Sequence, residues 1–460
     1  MRNSTRLLGG LALATLLARA AIAQAPATTP PPDDRLKADI LVVAPHPDDE
    51  TTIAGYLARA ALDEHRRVSV VFTTRGDAGQ NLVGTEQAAS LAEIRELEAR
   101  QALASIGIDH VWFVRVPDTP GGDVEDVLRS LETADHGHAL GEVVRFIRLT
   151  RPEVVIGMLP DEVVGENHED HQASGVLATE AFDLAGDPTR FPEQVASPED
   201  RLWYGNKMEG LHPWQPKKLY YYTDATHLDF MKGKGPEYSM TAISSSRHVS
   251  YARLAATEQS FHRTQYGDAP ARALATNDLH DFDQPLPFVR ARSLIGGAVT
   301  ADILDGTGGA PVAFAPVRGY RPPANEPPYA LELGGAWAFY RRFYQAHDLE
   351  VMPGLLAPEI GAGSGAHFSV PLVMHNDTDS PVTFHLRARL PAGWGLDSTT
   401  AQHAHAWPVS TFAVPAHADF AVRIRLVAPR VSSAQWQTLE WVGDANGRET
   451  APAALRVYVR

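Results

Sequence analysis

The sequence predicts an α/β fold, with a mostly parallel sheet carrying helices on both faces, followed by an all-β sandwich. Three observations carry this reading. Short apolar runs, among them Ile40–Leu41–Val42–Val43 and Val154–Val155–Ile156–Gly157–Met158–Leu159, alternate with segments of helix length, as βαβ crossovers require. Polar clusters follow these runs, and in open α/β sheets ligands bind at the carboxyl ends of the strands. After Gly361–Ala362–Gly363–Ser364–Gly365, which reads as a linker, the pattern changes to short alternating segments separated by turn residues. About 95 residues of this kind fit a β-sandwich.

With 460 residues, the chain exceeds one ordinary core, so more than one domain is expected. A formal net charge of −15 argues against a nucleic-acid or anionic-membrane partner. There is no cysteine, which excludes disulfides, thiolate metal ligands, a cysteine nucleophile and a lipoprotein anchor. Arg2 and Arg6 precede an apolar run from Leu7 to Ala18 that is too short to span a bilayer. Ala21–Ile22–Ala23 fits a cleavage site, so residues 1–23 read as a signal peptide and the protein as exported, periplasmic or extracellular, without stable membrane insertion. Residues 24–36 read as a disordered tether and 37–355 as a catalytic domain. Within the latter, 268–355 is an extension of weak periodicity. Residues 366–460 form the sandwich.

Taken in order, residues 38–44 predict a first strand and 51–63 a first helix. Val68 to Thr74 is a second strand, followed by the glycine-bearing polar loop Thr74–Arg75–Gly76–Asp77–Ala78–Gly79–Gln80. Thr85 to Ile106 predicts a long amphipathic helix, with Leu91, Ile94, Leu97 and Ala102 on its apolar side and Arg95 and Glu98 on its polar face. Val111 to Val116 is a third strand ending at Pro117–Asp118. Leu140 to Thr150 is helical, 154–159 is a strand and 172–184 is a helix. Leu219 to Thr223 is another strand, and Ser250 to Tyr266 predicts one helix containing His262. Ala336 to His347 predicts a short aromatic helix. The sandwich strands are expected near 368–374, 382–390, 411–414, 419–426, 439–442 and 454–459.

The polar clusters carry the chemistry. Ala44–Pro45–His46–Pro47–Asp48–Asp49–Glu50 follows the first strand. Pro47 removes a backbone donor and pushes His46 toward extended geometry. Three acids and a histidine beside two prolines make a poor core and a good half of a metal site. Asn167–His168–Glu169–Asp170–His171 follows the strand at 154–159 and supplies the other half. His168 and His171 share a face if that segment is helical. One carboxylate and two imidazoles, with water in the fourth position, make an open catalytic zinc site, and His46, Asp49 and His171 are the ligands expected. Asp48 is then placed as the general base for a water whose pKa zinc lowers to about 7. His168 faces the substrate carbonyl and, if protonated, stabilises the oxyanion and protonates the leaving nitrogen. Asp170 either orients His168 or backs the metal ligands. These roles describe metal-assisted hydrolysis of an amide-like bond.

The first motif, together with His168–Glu169–Asp170–His171, resembles the LmbE-like (PIG-L) family of zinc-dependent de-N-acetylases. The resemblance covers roughly residues 38 to 265 and implies a Rossmann-like fold. It implies zinc, or another divalent metal such as Fe2+, on His46, Asp49 and His171, with Asp48 as base and His168 as oxyanion partner. It extends to Thr74–Arg75–Gly76, to Arg95 and Glu98, to Pro117–Asp118 and to His262–Arg263–Thr264–Gln265. From it, Arg95, Asp118 and His262 are expected to contact substrate, with packing of His262 against the sheet as the alternative. The expected partner is an N-acetylated sugar or glycan, such as an N-acetylglucosamine-containing one. The β-rich tail, with Leu390–Pro391–Ala392–Gly393–Trp394 between two strands, resembles immunoglobulin-like accessory domains of secreted carbohydrate enzymes.

Two rival functions use the same residues. A glycan-binding protein with a degenerate site needs no catalysis, although the five expected functional positions are intact. His46, Asp48 and His171 also spell the facial triad of non-haem iron(II) oxygenases, but those sit on jelly rolls and have no use for Asp49 and His168. A two-carboxylate glycosidase would not need three histidines near its acids.

Overall fold

The computed structural model describes residues 32–119, 126–165, 167–197, 208–321, 327–349, 351–396 and 409–460. The expected signal peptide and residues 24–31 of the expected tether lie outside the described residues. The rest of that tether is ordered by the protein. Asp34–Leu36 form a helical turn, and Arg151 reaches the Asp34 carboxylate at 3.1 Å and the Asp33 carbonyl at 2.9 Å.

The first domain is built on β1 (Ile40–Ala44), β2 (Val68–Phe72), β3 (His110–Phe113), β4 (Val154–Met158) and β5 (Lys218–Tyr222). They pair in the parallel order β3-β2-β1-β4-β5. β6 (Val289–Ser293) closes the edge antiparallel to β5. In β1, β2, β4 and β5 every residue is buried, which is why they read as continuous apolar runs rather than alternating ones. Ile40 sits opposite both Val68 and Val154, so the exits of β1, β2 and β4 lie side by side.

Helices cover both faces. A helical stretch opens as a tight turn at Asp49–Ile53, continues as α1 (Ala54–Ala58) and widens at Arg59–Asp63. With α2 (Ala89–Ser105) and α6 (Tyr251–Gln259) it packs on Ile40, Val42 and Ala44. On the opposite face, α3 (Asp126–Thr133), α4 (His136–Thr150) and α5 (Glu169–Leu184) pack on Leu41 and Val43. α5 lies very close to β4: a Cβ at Gly175 would stand 2.3 Å from the Met158 carbonyl oxygen. That glycine lets the first turn of α5 sit directly over the strand ends.

The single helix expected at 250–266 is broken. α6 ends at Gln259, a turn follows, and α7 (Arg263–Tyr266) and α8 (Ala269–Thr276) continue. The apolar side expected for α2 is also wrong in part. Leu97 is 60% exposed, while Arg95 and Glu98 are buried, because α2 turns its charged stripe toward other parts of the protein, where those groups find partners.

The second domain has two sheets. One orders β8 (Glu359–Ala362), β15 (Ala453–Val459), β14 (Gln435–Ala445), β10 (Val382–Arg389) and β12 (Val409–Val414). The other orders β11 (Gly395–Leu396), β13 (Ala418–Val427), β9 (His367–Asn376) and β7 (Tyr329–Leu333). Leu372, Met374 and Leu426 from one sheet and Leu386, Trp441 and Leu455 from the other share one core.

Two expected boundaries are corrected. Residues 329–333 pair with β9 and belong to the β-rich region, not to the extension of the first domain. Residues 359–362 are a strand paired in parallel with β15, so the glycine-rich stretch begins inside a sheet rather than as a free linker. α9 (Gly335–Ala346) bridges the regions: its Tyr340 hydroxyl bonds Gln172 of α5, and its Tyr344 hydroxyl donates to the Pro160 carbonyl at 3.2 Å. The wholly buried Glu359 accepts the Val164 N–H at 3.1 Å and pairs with His227 at 2.6 Å. Among the described residues, no helix is long and apolar enough to cross a membrane.

Candidate metal centre

The exits of β1, β3, β4 and β5 converge on one cluster. His46 to Glu50 leave β1, Asp118 follows β3, His168 to His171 open α5 after β4, and Asp224 follows β5. The Asp49 carboxylate lies between two imidazoles, 3.0 Å from His46 Nδ1 and 3.2 Å from His171 Nε2. His46 Nε2 lies 2.9 Å from Asp118 and 3.6 Å from Asp170. The rings of His168 and His171 are 4.0 Å apart. His168, 40% exposed along its side chain, is the open member of an otherwise buried set.

The three expected ligands, His46, Asp49 and His171, are thus brought together. Asp170 settles one alternative: its carboxylate accepts the Thr119 N–H at 2.7 Å, bonds Ser130 and approaches His46. It stands behind His46; among the described residues the acid paired with His168 is Glu169, at 3.7 Å. His168 occupies the cap position of α5 but makes no capping bond.

Sequence reasoning missed Asp224. Its carboxylate is 3.5 Å from His171 Nδ1, on the side of the ring away from Asp49. The signal was available, because Asp224 follows the predicted strand at 219–223 just as the recognised clusters follow theirs.

Burial opposes charge on His46, but the carboxylates of Asp118, Asp170 and Asp49 outweigh it and hold the ring well above its usual range. His171 is likewise raised against burial by Asp49 and Asp224. His168 goes the other way: burial, His171 and His46 push it down to about 3, against the smaller opposing pull of Asp49 and Asp170. That lowering favours the neutral ring over the protonated form expected of a charged oxyanion partner. Burial and the neighbouring Asp49 raise Asp48 to about 7.

Three histidines and four carboxylates crowd a buried space, with His46, His168 and His171 ligand atoms all within 4.8 Å of one another. Buried carboxylates in excess of imidazoles favour a cation, and an oxygen and nitrogen donor set suits zinc or iron(II). The residues fit a divalent metal. The scaffold is a parallel sheet, not the jelly roll the oxygenase alternative expects.

Asp48 has φ 131°, a conformation that costs a non-glycine residue about 1–3 kcal/mol. Its N–H donates to Glu50 Oε2 at 2.8 Å. The other oxygen of Glu50 meets His262 Nε2 at 3.0 Å, and Glu258 lies 3.7 Å from the same nitrogen. Glu50, Glu258 and His262 are wholly buried. His262 therefore does not contact substrate as expected; packing is the reading that holds, with Glu50 as its partner.

Arg95 is also corrected. It is 1% exposed and donates to the Gln80 carbonyl at 2.8 Å. Gly76 (φ +65°) lies so close that a Cβ there would stand 2.1 Å from Arg95 Nη1. Arg95 supports the 74–80 loop from beneath. Asp118 joins the same loop to the centre, accepting the Ala78 N–H at 2.9 Å while its other oxygen faces His46. Glu98 accepts the Thr264 N–H at 3.0 Å and its hydroxyl at 2.6 Å, tying α2 to the segment that carries His262.

Residues 41–182 match the family model described as PIG-L, GlcNAc-PI de-N-acetylase. The chain is similar to the 1D-myo-inositol 2-acetamido-2-deoxy-alpha-D-glucopyranoside deacetylase 1 of Catenulispora acidiphila, with 31% identity over 186 residues. That match covers 38% of this chain and 57% of the relative. It is similar to the mycothiol S-conjugate amidase of Streptomyces coelicolor, with 30% identity over 192 residues, 40% of this chain and 60% of the relative. The chain thus spans less than two thirds of the length of either relative. Among solved structures it is similar to the N,N'-diacetylchitobiose deacetylase from Pyrococcus horikoshii, at 17% identity and a TM-score of 0.39, covering 55% of this chain and 83% of that one.

Proposed function

We propose that this chain, which carries a PIG-L (LmbE-like) domain over residues 41–182, is an exported metal-dependent hydrolase that removes an acetyl group from an N-acetylglucosamine-containing glycan or a related amide. The observation that carries the reading is the Asp49 carboxylate seated between His46 and His171, beside the exposed His168. The similarity to deacetylases of N-acetylated amino sugars supports the reaction class. The basic start and short apolar run at Arg2 to Ala18 support export.

His46, Asp49 and His171 would hold the metal, with Asp118 and Asp170 behind His46 and Asp224 beside His171. When bound, zinc or another divalent ion supplies Lewis acidity and a water acidic enough to ionise near pH 7. Asp48 takes the water's proton. Burial and Asp49 raise the Asp48 carboxyl above the usual carboxylate range, which makes it a stronger base for that task, and it returns the proton to the nitrogen as the C–N bond breaks. His168 donates an N–H hydrogen bond toward the acyl oxygen as a neutral ring. The products are acetate and an amine.

The test is acetate release from N-acetylglucosamine derivatives by the zinc-loaded full chain beside Asp48→Ala. The reading expects release by the wild type and none by the variant. Equal release from both would remove Asp48 from the reaction, and release by neither from any N-acetylated sugar would remove the activity.

A further inference from the structure

Two loops of the metal centre are tied to the second domain. After β4, residues 159–168 lead to His168 and His171; after β5, Asp224 is followed three positions later by His227. The loops lie against each other: the Thr226 N–H and hydroxyl both donate to the Val164 carbonyl, at 2.8 and 2.9 Å, and Gly165 bridges Ala225. Glu359 of β8 joins both. Its Oε1 accepts the Val164 N–H at 3.1 Å and meets His227 Nε2 at 2.6 Å, while Oε2 accepts Arg456 of β15 at 3.3 Å. Glu359 is wholly buried, and a carboxylate there is costly unless bonded in this way. The His227 ring also meets Trp436 of β14 edge-on, with centroids 5.5 Å apart. From α9, the Tyr340 hydroxyl bonds the Gln172 side-chain oxygen, and the Gln172 amide donates to the Asn167 carbonyl at 2.6 Å. Gln172 adjoins His171 in the chain, and Asn167 adjoins His168.

We propose that the β-rich domain is a working part of the metal centre, with Glu359 and Tyr340 as positioning residues for His168, His171 and Asp224. The inference rests on the metal-site reading above. A metal site works only if its ligands are held to within about 0.5 Å by the groups behind them. Here those groups sit on loops, and a loop that shifts carries its side chains with it. Two contacts of different chemistry, a buried carboxylate and a buried hydroxyl, reach the segment from Val164 to Gln172 from the second domain. Glu359 also holds His227, so loss of its charge weakens both loops at once and lets Asp224 shift relative to His171. Neither residue acts on the metal or on substrate; each acts through the backbone that presents the ligands.

The experiment compares the full chain with Glu359→Gln, Tyr340→Phe and, as a control, Asn376→Ala. Asn376 is buried in the β-rich domain, where its amide donates to the Ser380, Val414 and Pro415 carbonyls. Its loss therefore destabilises that domain without removing a contact to either loop. Zinc affinity is measured by competition with a chelator, and ligand geometry by the visible absorption of the cobalt-substituted chain. Glu359→Gln is expected to weaken zinc binding roughly tenfold, the lower end of what outer partners of a metal contribute, and to shift the cobalt spectrum. Tyr340→Phe, which keeps the buried ring and serves if Glu359→Gln does not fold, is expected to act in the same direction by a few-fold. Asn376→Ala should leave affinity and spectrum unchanged. Wild-type affinity and spectrum in the folded variants, or equal losses in Asn376→Ala, overturn the proposal. Acetate release from N-acetylglucosamine derivatives separates the two readings. Zinc binding that weakens in Glu359→Gln, without acetate release by the wild type, keeps the positioning role and loses the deacetylase. Acetate release with zinc binding unaltered in the variants keeps the deacetylase and loses the positioning role.

Discussion

Glu50 and His262 stand 212 positions apart in the chain and meet at 3.0 Å in the wholly buried interior. The other oxygen of Glu50 holds the N–H of Asp48 in its positive-φ conformation. Glu50 thus clamps the backbone of Asp48, the proposed general base, and His262, with Glu258 behind it, holds the clamp.

Loosening that clamp should move Asp48 without emptying the metal site. Glu50→Gln keeps the shape and weakens the charged bond, so kcat should fall roughly ten- to a hundredfold, as small misplacements do, with KM and metal content little changed. His262→Ala strands two buried carboxylates and should also lower stability by about 3 kcal/mol. Steady-state kinetics, elemental analysis and urea unfolding measure these effects. A Glu50→Gln enzyme with normal kcat would remove the clamp from the account.

The Asp224 carboxylate lies 3.5 Å from His171 Nδ1, on the side of the ring away from Asp49. Carboxylates that back a ligating histidine typically contribute about 10–100-fold in metal affinity. Asp224→Asn should therefore weaken zinc binding by that factor in competition with a chelator. Unaltered affinity would leave His171 oriented by other groups.

Far from the centre, Asp63 ties the end of the first helical stretch to the 244–251 segment. It accepts the Ser246 N–H at 2.9 Å, the Ser244 hydroxyl at 3.1 Å and the Tyr251 hydroxyl at 2.6 Å. Burial raises its pKa, but the bonds from Ser246, Tyr251 and Ser244 prevail and hold it well below the carboxylate range. A depressed folded pKa stabilises the protein above the unfolded value of about 3.9, and this is lost as pH falls toward the folded one. Asp63→Ala should cost about 2 kcal/mol at pH 7, and the gap from wild type should narrow below about pH 4. Urea unfolding of both proteins at pH 7, 4 and 3 checks this. A gap that stays constant across that range would separate Asp63 from the acid sensitivity.

What the sequence disclosed and what it hid divide along physical lines. β1 and β4 were legible because strands buried on both faces must be apolar throughout, and His46, Asp49 and His171 because polar clusters at such strand ends make poor structure. Arg95 was misread because helical periodicity assumes that a charged stripe faces water, whereas this one serves the 74–80 loop. His262 was ambiguous because its partner, Glu50, lies far away in sequence. Tyr329–Leu333 hid in a proline-rich stretch since its pairing with β9 is non-local. The glycines near 361 signal a flexible chain but say nothing of the strand that Glu359–Ala362 forms with β15.

The most direct test of the central claim is metal content per chain, by elemental analysis of the purified protein after incubation with zinc, beside His171→Ala and Asp48→Ala. The account predicts about one ion per chain in the wild type, retained in Asp48→Ala and lost in His171→Ala. No ion in the wild type, or an ion retained when His171 is removed, would contradict it.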